Sequence, residues 1–369
     1  RRIADQLRPD DFVARIGGDE FVIMLPRLGA DPGRAEAIAT DVASRAIAAT
    51  ERPFHLSGQV IRISASIGVA IAAPDAADAE ELLRQADLAM YAAKHVGGVA
   101  HSVFDERMDL EAQRALRLDG DLRHAIEHHE LAIHLQPRLD VATGALTGAE
   151  ALLRWRHQHP SSPDTASIVA TAERNGLIVP LGRWVLREAV HHAAELRRAG
   201  VLGPGMTVSV NISSHQLQED DFVDDLVGIL TQADLPPEML TVELTESSIL
   251  ADLYQARRQL NALAEIGVAL SIDDFGTGYS SLAYLRELPV RELKLDRLFV
   301  ADLGRDPTAE VIVRGVLEIA RGIGLETVAE GVERQEQLDV LRTTPCSQYQ
   351  GYLTSAAIPL SEFLSRYGR

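Results

Sequence analysis

The sequence predicts an α/β protein in which a TIM-like (βα)8 barrel follows a smaller unit of mixed helix and strand. Three observations carry that expectation. The 369 residues exceed what one ordinary domain needs, since domains run to roughly 100–200 residues. From about residue 110 onward, short β-rich runs alternate with helical stretches over about 250 residues, the rhythm and length of a βα barrel. Ahead of them, two apolar runs meet at Gly17-Gly18 and are followed by Ala-rich helical patterns, a different rhythm.

The first unit is expected to cover 1–105. A short N-terminal helix closes near Ala4 and Leu7. VARI (13–16) and FVIML (21–25) flank the Gly pair and read as a β-hairpin, because glycine supplies the positive φ of a tight turn. A helix follows at 34–49, one strand at 60–72 and an amphipathic helix at 81–98 that ends on Gly97-Gly98, a common helix stop. A charged helical linker, 106–127, leads to the barrel at 128–369. Its strands are expected at LAIHL (131–135), ALTGA (145–149), MTVSV (206–210), LTVEL (240–244), VALSI (268–272), ELKL (292–295) and ETVA (326–329).

Composition narrows the function. A net charge of −18 opposes binding to polymeric nucleic acid or an anionic membrane, both of which reward Lys and Arg. No apolar run of about 18 residues is present to span a bilayer. One cysteine, Cys346, excludes an intramolecular disulfide and suits a reducing cytoplasm. The chain starts at Arg1-Arg2-Ile3 without Met, so upstream sequence, with a sensor or an inner-membrane anchor, is expected. Only Lys94 and Lys294 interrupt the use of Arg. A compact ammonium is a different tool from a guanidinium, so both positions invite inspection.

The chemistry lies at the strand ends, where barrel enzymes place their active groups. Glu150 closes ALTGA, Asn211 closes MTVSV, Glu243 lies in LTVEL, Asp273 and Asp274 close VALSI, Lys294 lies in ELKL, and Glu330 closes ETVA. Glu150, Asn211, Glu243 and Asp273 offer hard oxygen donors, which suit Mg²⁺ or Mn²⁺ and not Zn²⁺. Asp274 reaches a second ion, and two ions together stabilise the attacking and leaving oxygens of phosphate-ester hydrolysis. Lys294 is placed to hold the water or a phosphate oxygen, and Glu330 to accept a proton. Any single acid at a strand end is most often a solvated loop carboxylate or a helix cap. Successive coincidences of this kind are not explained that way.

These residues sit in EALLRW (150–155), preceded by QP (136–137) and followed by NIS (211–213), ELTES (243–247), DDFGTGYSSL (273–282), KLD (294–296), AEGVE (329–333) and QGY (350–352). In that order they resemble the EAL family over almost the whole second unit. The resemblance implies a phosphodiesterase that hydrolyses cyclic di-GMP to linear pGpG, with Ca²⁺ inhibitory and the EAL unit a homodimer. It assigns Glu150, Asn211, Glu243, Asp273 and Asp274 to metal and Glu330 with Lys294 to activating water. Asp296 and Glu333 support the site, and Gln136, Arg154 and Gln350 contact substrate or orient neighbours. Glu246 anchors the DDFGTGYSSL loop, whose Gly276 and Gly278 give it backbone freedom. One departure is SSPDTASIVATAE (161–173), shorter than the family segment and without its Gly and Phe, which bears on substrate affinity.

The first unit is similar to a GGDEF (diguanylate cyclase) domain through RIGGDEF (15–21), SIGVA (66–70) and DLAMYAAK (87–94), which implies a partial α+β fold of palm-like type. The resemblance places Gly17 and Gly18 beside a GTP phosphate, Asp19 as a metal carboxylate with Glu20 next to it, and Lys94 in the same site. Arg8 and Asp11 fit the R-x-x-D inhibitory site. A further metal Asp belongs on a strand expected before Arg1, and Gly97-Gly98-Val99 stands where the family has G-R-N. Cyclase turnover by this stretch is therefore not expected, and the unit reads as regulatory. Three functions follow: a metal phosphodiesterase, favoured by the full acid set; a cyclase or bifunctional protein; and a silent cyclic di-GMP receptor.

Overall fold

The computed structural model describes residues 2–29, 31–56, 59–72, 78–95, 101–128, 130–155, 164–276 and 287–368. The chain forms two compact units, Arg1–Arg117 and Leu118–Arg369, and the division falls inside the helix Glu106–Glu127.

In the first unit, β1 (Phe12–Gly17) and β2 (Glu20–Met24) make the expected antiparallel hairpin, with Gly17 opposite Glu20 and a register shift after Arg15. Gly18 takes φ 46°. The N-terminal helix is a single 3-10 turn, Ala4–Gln6. The helix Pro32–Glu51 is capped by Asp31, whose carboxylate accepts from the Gly33 N–H at 3.0 Å, and it buries Ala39, Ala43, Ala46 and Ile47.

The expected strand at 60–72 is two strands. β3 (Phe54–Leu56) and β4 (Gln59–Ile61) form a hairpin, whereas β5 (Ile67–Val69) pairs in parallel with β6 (His101–Val103). One apolar run thus serves two sheets, with residues 62–66 in neither, which hydrophobicity alone does not reveal.

The second unit is a closed eight-stranded barrel. Its strands are β7 (Leu131–Asp140), β8 (Leu146–Trp155), β9 (Thr207–Asn211), β10 (Leu240–Thr245), β11 (Ala269–Phe275), β12 (Glu292–Leu295), β13 (Glu326–Ala329) and β14 (Gln348–Tyr349), and β14 closes on β7. β8 to β14 run parallel, but β7 is antiparallel to both neighbours. A short β15 (Ile358–Pro359) also pairs with β7. The first repeat is therefore a hairpin and not a βα unit, because only a few residues link β7 to β8 and parallel pairing needs a long crossover.

Alternation along each strand sorts its side chains. Val208, Val210, Val242, Leu244, Leu270, Ile272 and Leu293 form one buried core with Leu186, Ala189, Leu226, Leu260 and Leu263 of the surrounding helices. The intervening residues, Ser209, Thr241, Glu243, Ser271, Glu292 and Lys294, are also buried and polar, and Thr207 is half-buried. Their faces are turned away from that core, so the barrel interior is polar where parallel barrels ordinarily hold branched apolar residues. Cys346 lies in the outer core, where burial pushes its thiol up to about 11; it is a packing residue and not a nucleophile. No helix among the described residues is long and apolar enough to cross a membrane.

Candidate active site

The site is built around Lys294. Its ammonium, 1% exposed, lies 2.6 Å from Glu330 Oε1, 2.8 Å from Glu243 Oε2, 3.2 Å from Asp273 Oδ1 and 3.4 Å from Glu150 Oε2. Four carboxylates from β8, β10, β11 and the residue after β13 thus meet on one cation. Glu150 does not end its strand as expected: β8 continues to Trp155 because it pairs with β7 from Leu131 opposite Trp155 to Leu139 opposite Leu146. The acids reach one level because the strands are staggered in the closed barrel.

Asp273 and Asp274 owe their placement to an irregularity. Pairing of β11 with β12 slips between Ile272 and Phe275, a bulge of the kind that re-aims side chains at a barrel rim. Asp274 takes φ 54°, and its N–H donates to Asp273 Oδ1 at 3.0 Å. Its carboxyl shares a hydrogen bond with Asp296. Asp296 in turn caps the helix Arg297–Val300 through the Leu298 N–H at 2.8 Å.

Amide side chains complete the cluster. Asn211 Nδ2 donates to Glu150 Oε1 at 2.9 Å, and Gln350 Nε2 to Glu150 Oε2 at 2.5 Å and to Glu330 Oε1 at 3.3 Å. Gly351 makes the approach of Gln350 possible. A Cβ there would lie 2.2 Å from Val332 O, and its φ of 156° disfavours a side chain. Gln136, opposite Glu150 in register, is buried and donates to Ser355 O at 3.1 Å.

Arg154 is tied instead to Leu153 O at 2.7 Å and Thr165 Oγ1 at 3.3 Å, with no contact to the acids among the described residues. Glu333 is exposed, joined to the helix Gln335–Leu341 by its N–H to Gln337 Oε1 at 2.8 Å. Glu246 is buried at the start of the helix Glu246–Ala251, directly after β10. Most of DDFGTGYSSL, Gly278 included, lies outside the described residues, as does the start of SSPDTASIVATAE.

Burial disfavours every charge here, and the surroundings decide which survive. For Lys294 the four acids outweigh burial and hold the ammonium charged. Glu150 is buried, yet Lys294, Gln350, Arg138 and Asn211 together bring its carboxyl below the ordinary range. Glu243 and Asp273 are pushed up by burial and by their acidic neighbours. Burial likewise raises Glu330 to about 8, and burial with Asp273 and Asp296 raises Asp274 to about 6.

A carboxyl with a raised pKa binds its proton more tightly in the folded chain, so stability falls as pH climbs toward the folded value. Buried His192, lowered to about 4, acts in the opposite sense up to its ordinary value near 6.5. The clear window is therefore about pH 6.5 to 8, where Glu330 acts together with the raised Glu243 in the same sense. In EDTA the melting temperature is expected to fall across that window, and a divalent cation should restore it most at the upper end. A flat or rising profile by scanning fluorimetry would count against protons held on Glu330 and Glu243.

Two overlapping acid groups can hold cations: Glu150, Glu243 and Asp273, and Asp273, Asp274 and Glu330, each with ligand oxygens within 4.8 Å of one another. Glu243 Oε1 is buried and has no hydrogen-bond partner among the described residues. Such an orphan acceptor is costly unless something pairs with it. The donors are all oxygen, which fits a hard divalent ion. Asp273 belongs to both groups, so the set fits two ions close together.

In the first unit, Gly17 and Gly18 form the hairpin turn, with Arg15 Nε donating to Gly18 O at 2.8 Å. Asp19, Glu20 and Lys94 are exposed. The Arg8 N–H donates to Asp11 Oδ2 at 2.8 Å, so the R-x-x-D string is a turn.

Residues 119–357 match the family model for the EAL domain. The chain belongs to the EAL family. Residues 1–99 match the model described as diguanylate cyclase, GGDEF domain. The bifunctional diguanylate cyclase/cyclic di-GMP phosphodiesterase MucR of Pseudomonas aeruginosa is 37% identical over 364 residues, 99% of this chain and 52% of that protein. The cyclic di-GMP phosphodiesterase NbdA of the same organism is 37% identical over 369 residues, 99% of this chain and 46% of that one. This EAL chain thus spans about half the length of such relatives. Among solved structures, the P. aeruginosa MucR phosphodiesterase in complex with c-di-GMP superposes with a TM-score of 0.64 at 38% identity, covering 67% of this chain and all of that one. The EAL enzyme Bd1971 in its cAMP- and cyclic-di-GMP-bound form gives 0.66 at 29% identity, over 80% and 77% of the two chains.

The sequence did not point to Arg138 and Glu292, both buried inside the barrel and paired at 3.0 Å. The available signal was a charged residue two positions from a site residue on each strand, after Gln136 and before Lys294.

Proposed function

We propose that this EAL domain hydrolyses cyclic di-GMP to pGpG using two divalent ions, Mg²⁺ or Mn²⁺. The observation that carries the reading is the convergence of four carboxylates on Lys294, with Asp273 common to two cation-binding groups. The relatives' named activity and the solved MucR complex support the same substrate. Glu150, Asn211, Glu243, Asp273 and Asp274 hold the ions; Asn211 spends its N–H on Glu150 and keeps its carbonyl oxygen for a cation. Bound there, the ions would lower the pKa of a water and polarise a phosphoryl oxygen.

Glu330, whose carboxyl titrates near 8, takes the proton of the attacking water, a task best done by a base matched to the working pH. Lys294 directs that water and the phosphate by its charge. Gln350 holds Glu150 and Glu330 in place, while Asp296 orients Asp274. Gln136 and Arg154 border the substrate, and Glu333 and Glu246 brace the adjoining loops.

Incubation with cyclic di-GMP and Mg²⁺ or Mn²⁺, with products separated by chromatography, tests the reading; recovery of intact substrate would refute it. Ca²⁺ is expected to compete and inhibit, since a larger ion with looser geometry occupies the same oxygens but activates water poorly. Equal rates in Ca²⁺ and Mg²⁺ would exclude the two-ion scheme.

Residues 1–105 act as a regulatory GGDEF unit that takes GTP, joined by 106–127 to the domain at 128–369. The domain is a homodimer, supported by an exposed apolar stripe on the helix Pro307–Gly322, where Val311 is 72% and Ile312 47% exposed. The stretch works in the cytoplasm, and any membrane attachment comes from sequence outside it.

A further inference from the structure

Beneath the acid cluster the barrel interior holds a second buried cation. Arg138 on β7 is 1% exposed. Its Nη1 donates to both Glu292 oxygens, at 3.0 and 3.1 Å, and its Nη2 to Thr207 Oγ1 at 2.6 Å. Thr241 Oγ1 donates to Thr207 Oγ1 at 2.9 Å. Gly148 leaves room for the guanidinium: a Cβ there would lie 2.3 Å from Thr207 O and 3.0 Å from Arg138 Nη2.

Stability does not account for this pair. A buried ion pair is commonly no better than well-packed apolar residues. Here the network is also incomplete, since Arg138 Nε has no hydrogen-bond partner among the described residues, and a partly satisfied buried network is costly.

Its place along the strands is informative. Residues two apart share a strand face, so Glu292 points into the barrel one layer below Lys294, about 7 Å along β12. Gln136 stands in the same relation to Arg138. Because β7 runs opposite to β12, one step back on β7 and one step forward on β12 lead to the same level, the level of the acids.

Among the described residues, the interior therefore holds the carboxylates of Glu150, Glu243, Asp273, Glu330 and Glu292 with the cations Arg138 and Lys294 among them. A lysine side chain is long and flexible enough to reach either layer. Among the described residues, Glu292, on Lys294's own strand, is the acid placed to draw the ammonium down and away from the other four.

We propose that Arg138 is a positioning residue: by clamping Glu292 with two hydrogen bonds from Nη1 it keeps that carboxylate off Lys294 and so holds the Lys294 ammonium among the upper acids. A planar guanidinium suits the task, since it engages both carboxylate oxygens and stays charged when buried. The inference rests on the phosphodiesterase reading for its kinetic consequence, but not for its structural one.

The test compares Arg138→Met, Arg138→Lys and the double variant Arg138→Met/Glu292→Gln with the parent chain. Steady-state hydrolysis of cyclic di-GMP is measured at saturating Mg²⁺, well below each melting temperature, with rates expressed per folded protein. Arg138→Met is expected to lose on the order of 10-fold or more in kcat with KM little changed, as displacement of a catalytic group by an ångström does. Arg138→Lys should recover most of the rate because it still occupies Glu292. The double variant should return toward the parent, since the neutral amide no longer competes for Lys294.

A purely structural Arg138 would shift melting temperature and leave kcat per folded protein unchanged. Parental kcat in folded Arg138→Met, or a double variant as slow as the single one, overturns the proposal. Should Arg138→Met fail to fold, Arg138→Gln is judged by the same criteria. A crystal structure of the single variant gives the second readout: Lys294 Nζ within hydrogen-bond distance of Glu292 is expected, and Nζ still among the four upper acids refutes the inference. If the parent chain itself does not hydrolyse cyclic di-GMP, the phosphodiesterase reading fails, and the crystal structure still decides the role of Arg138.

Discussion

Glu150→Ala is expected to abolish hydrolysis of cyclic di-GMP, and raising Mg²⁺ should not rescue it. Glu150 belongs to the acid group with Glu243 and Asp273, and both its oxygens are engaged, one by Asn211 and the other by Gln350 and Lys294. Its removal deletes a ligand oxygen, takes the acceptor from Asn211 Nδ2 and leaves Gln350 only its longer bond to Glu330. Losing an outer-shell partner of a metal ligand costs about 10–100-fold in affinity or activity, so losing the ligand should cost more, beyond about 10³-fold in kcat/KM. Glu150→Gln separates chemistry from packing. It keeps volume and one acceptor oxygen but loses the charge, so it should fold normally and remain nearly inactive. Isothermal titration with Mn²⁺ beside kinetics reads both consequences. Full turnover in Glu150→Ala at saturating Mg²⁺ would remove Glu150 from the ligand set.

Lys294→Arg should be severely impaired although the charge is retained. The ammonium fits within 3.4 Å of four carboxylate oxygens at a position 1% exposed, and a broad planar guanidinium cannot approach all four. Overfilling a packed interior typically costs about 1–3 kcal/mol, and the acids would be pushed from their present places. A kcat loss on the order of 10²-fold or more is expected, in keeping with other misplaced catalytic groups. Lys294→Ala is the harsher change. It leaves four acids, three of them buried, without their cation, and breaking a buried pair costs about 3–5 kcal/mol. A surface lysine would tolerate arginine within a factor of about two, since surface changes stay near 0.5 kcal/mol. Measuring kcat, KM and melting temperature for both variants distinguishes these outcomes, and near-parental values for Lys294→Arg would take Lys294 out of the catalytic machinery.

Sequence alone determined the two-unit organisation, the hairpin at Gly17-Gly18, the rhythm of the barrel and the residues at its mouth. Those features are written in local periodicity and in strings such as EALLRW and DDFGTGYSSL, and each needs only nearby residues to be read. Tertiary structure decided what depends on register and enclosure. The 60–72 run could not reveal that it serves two sheets, since that follows from which strands it meets. That β7 runs antiparallel, and that Glu150 lies within β8 and not at its end, followed from hairpin pairing across the barrel.

The bulge that turns Asp273 and Asp274 inward is a slip between neighbouring strands and leaves no mark on the apolar pattern. Lys294 could be suspected from its rarity, but its position among four acids could not. Arg138 and Glu292 were passed over because a charged residue in a strand looks the same in sequence whether it faces water or the barrel interior. The strength of a charge depends on the dielectric and the partners around it, and both come into being only when the barrel closes.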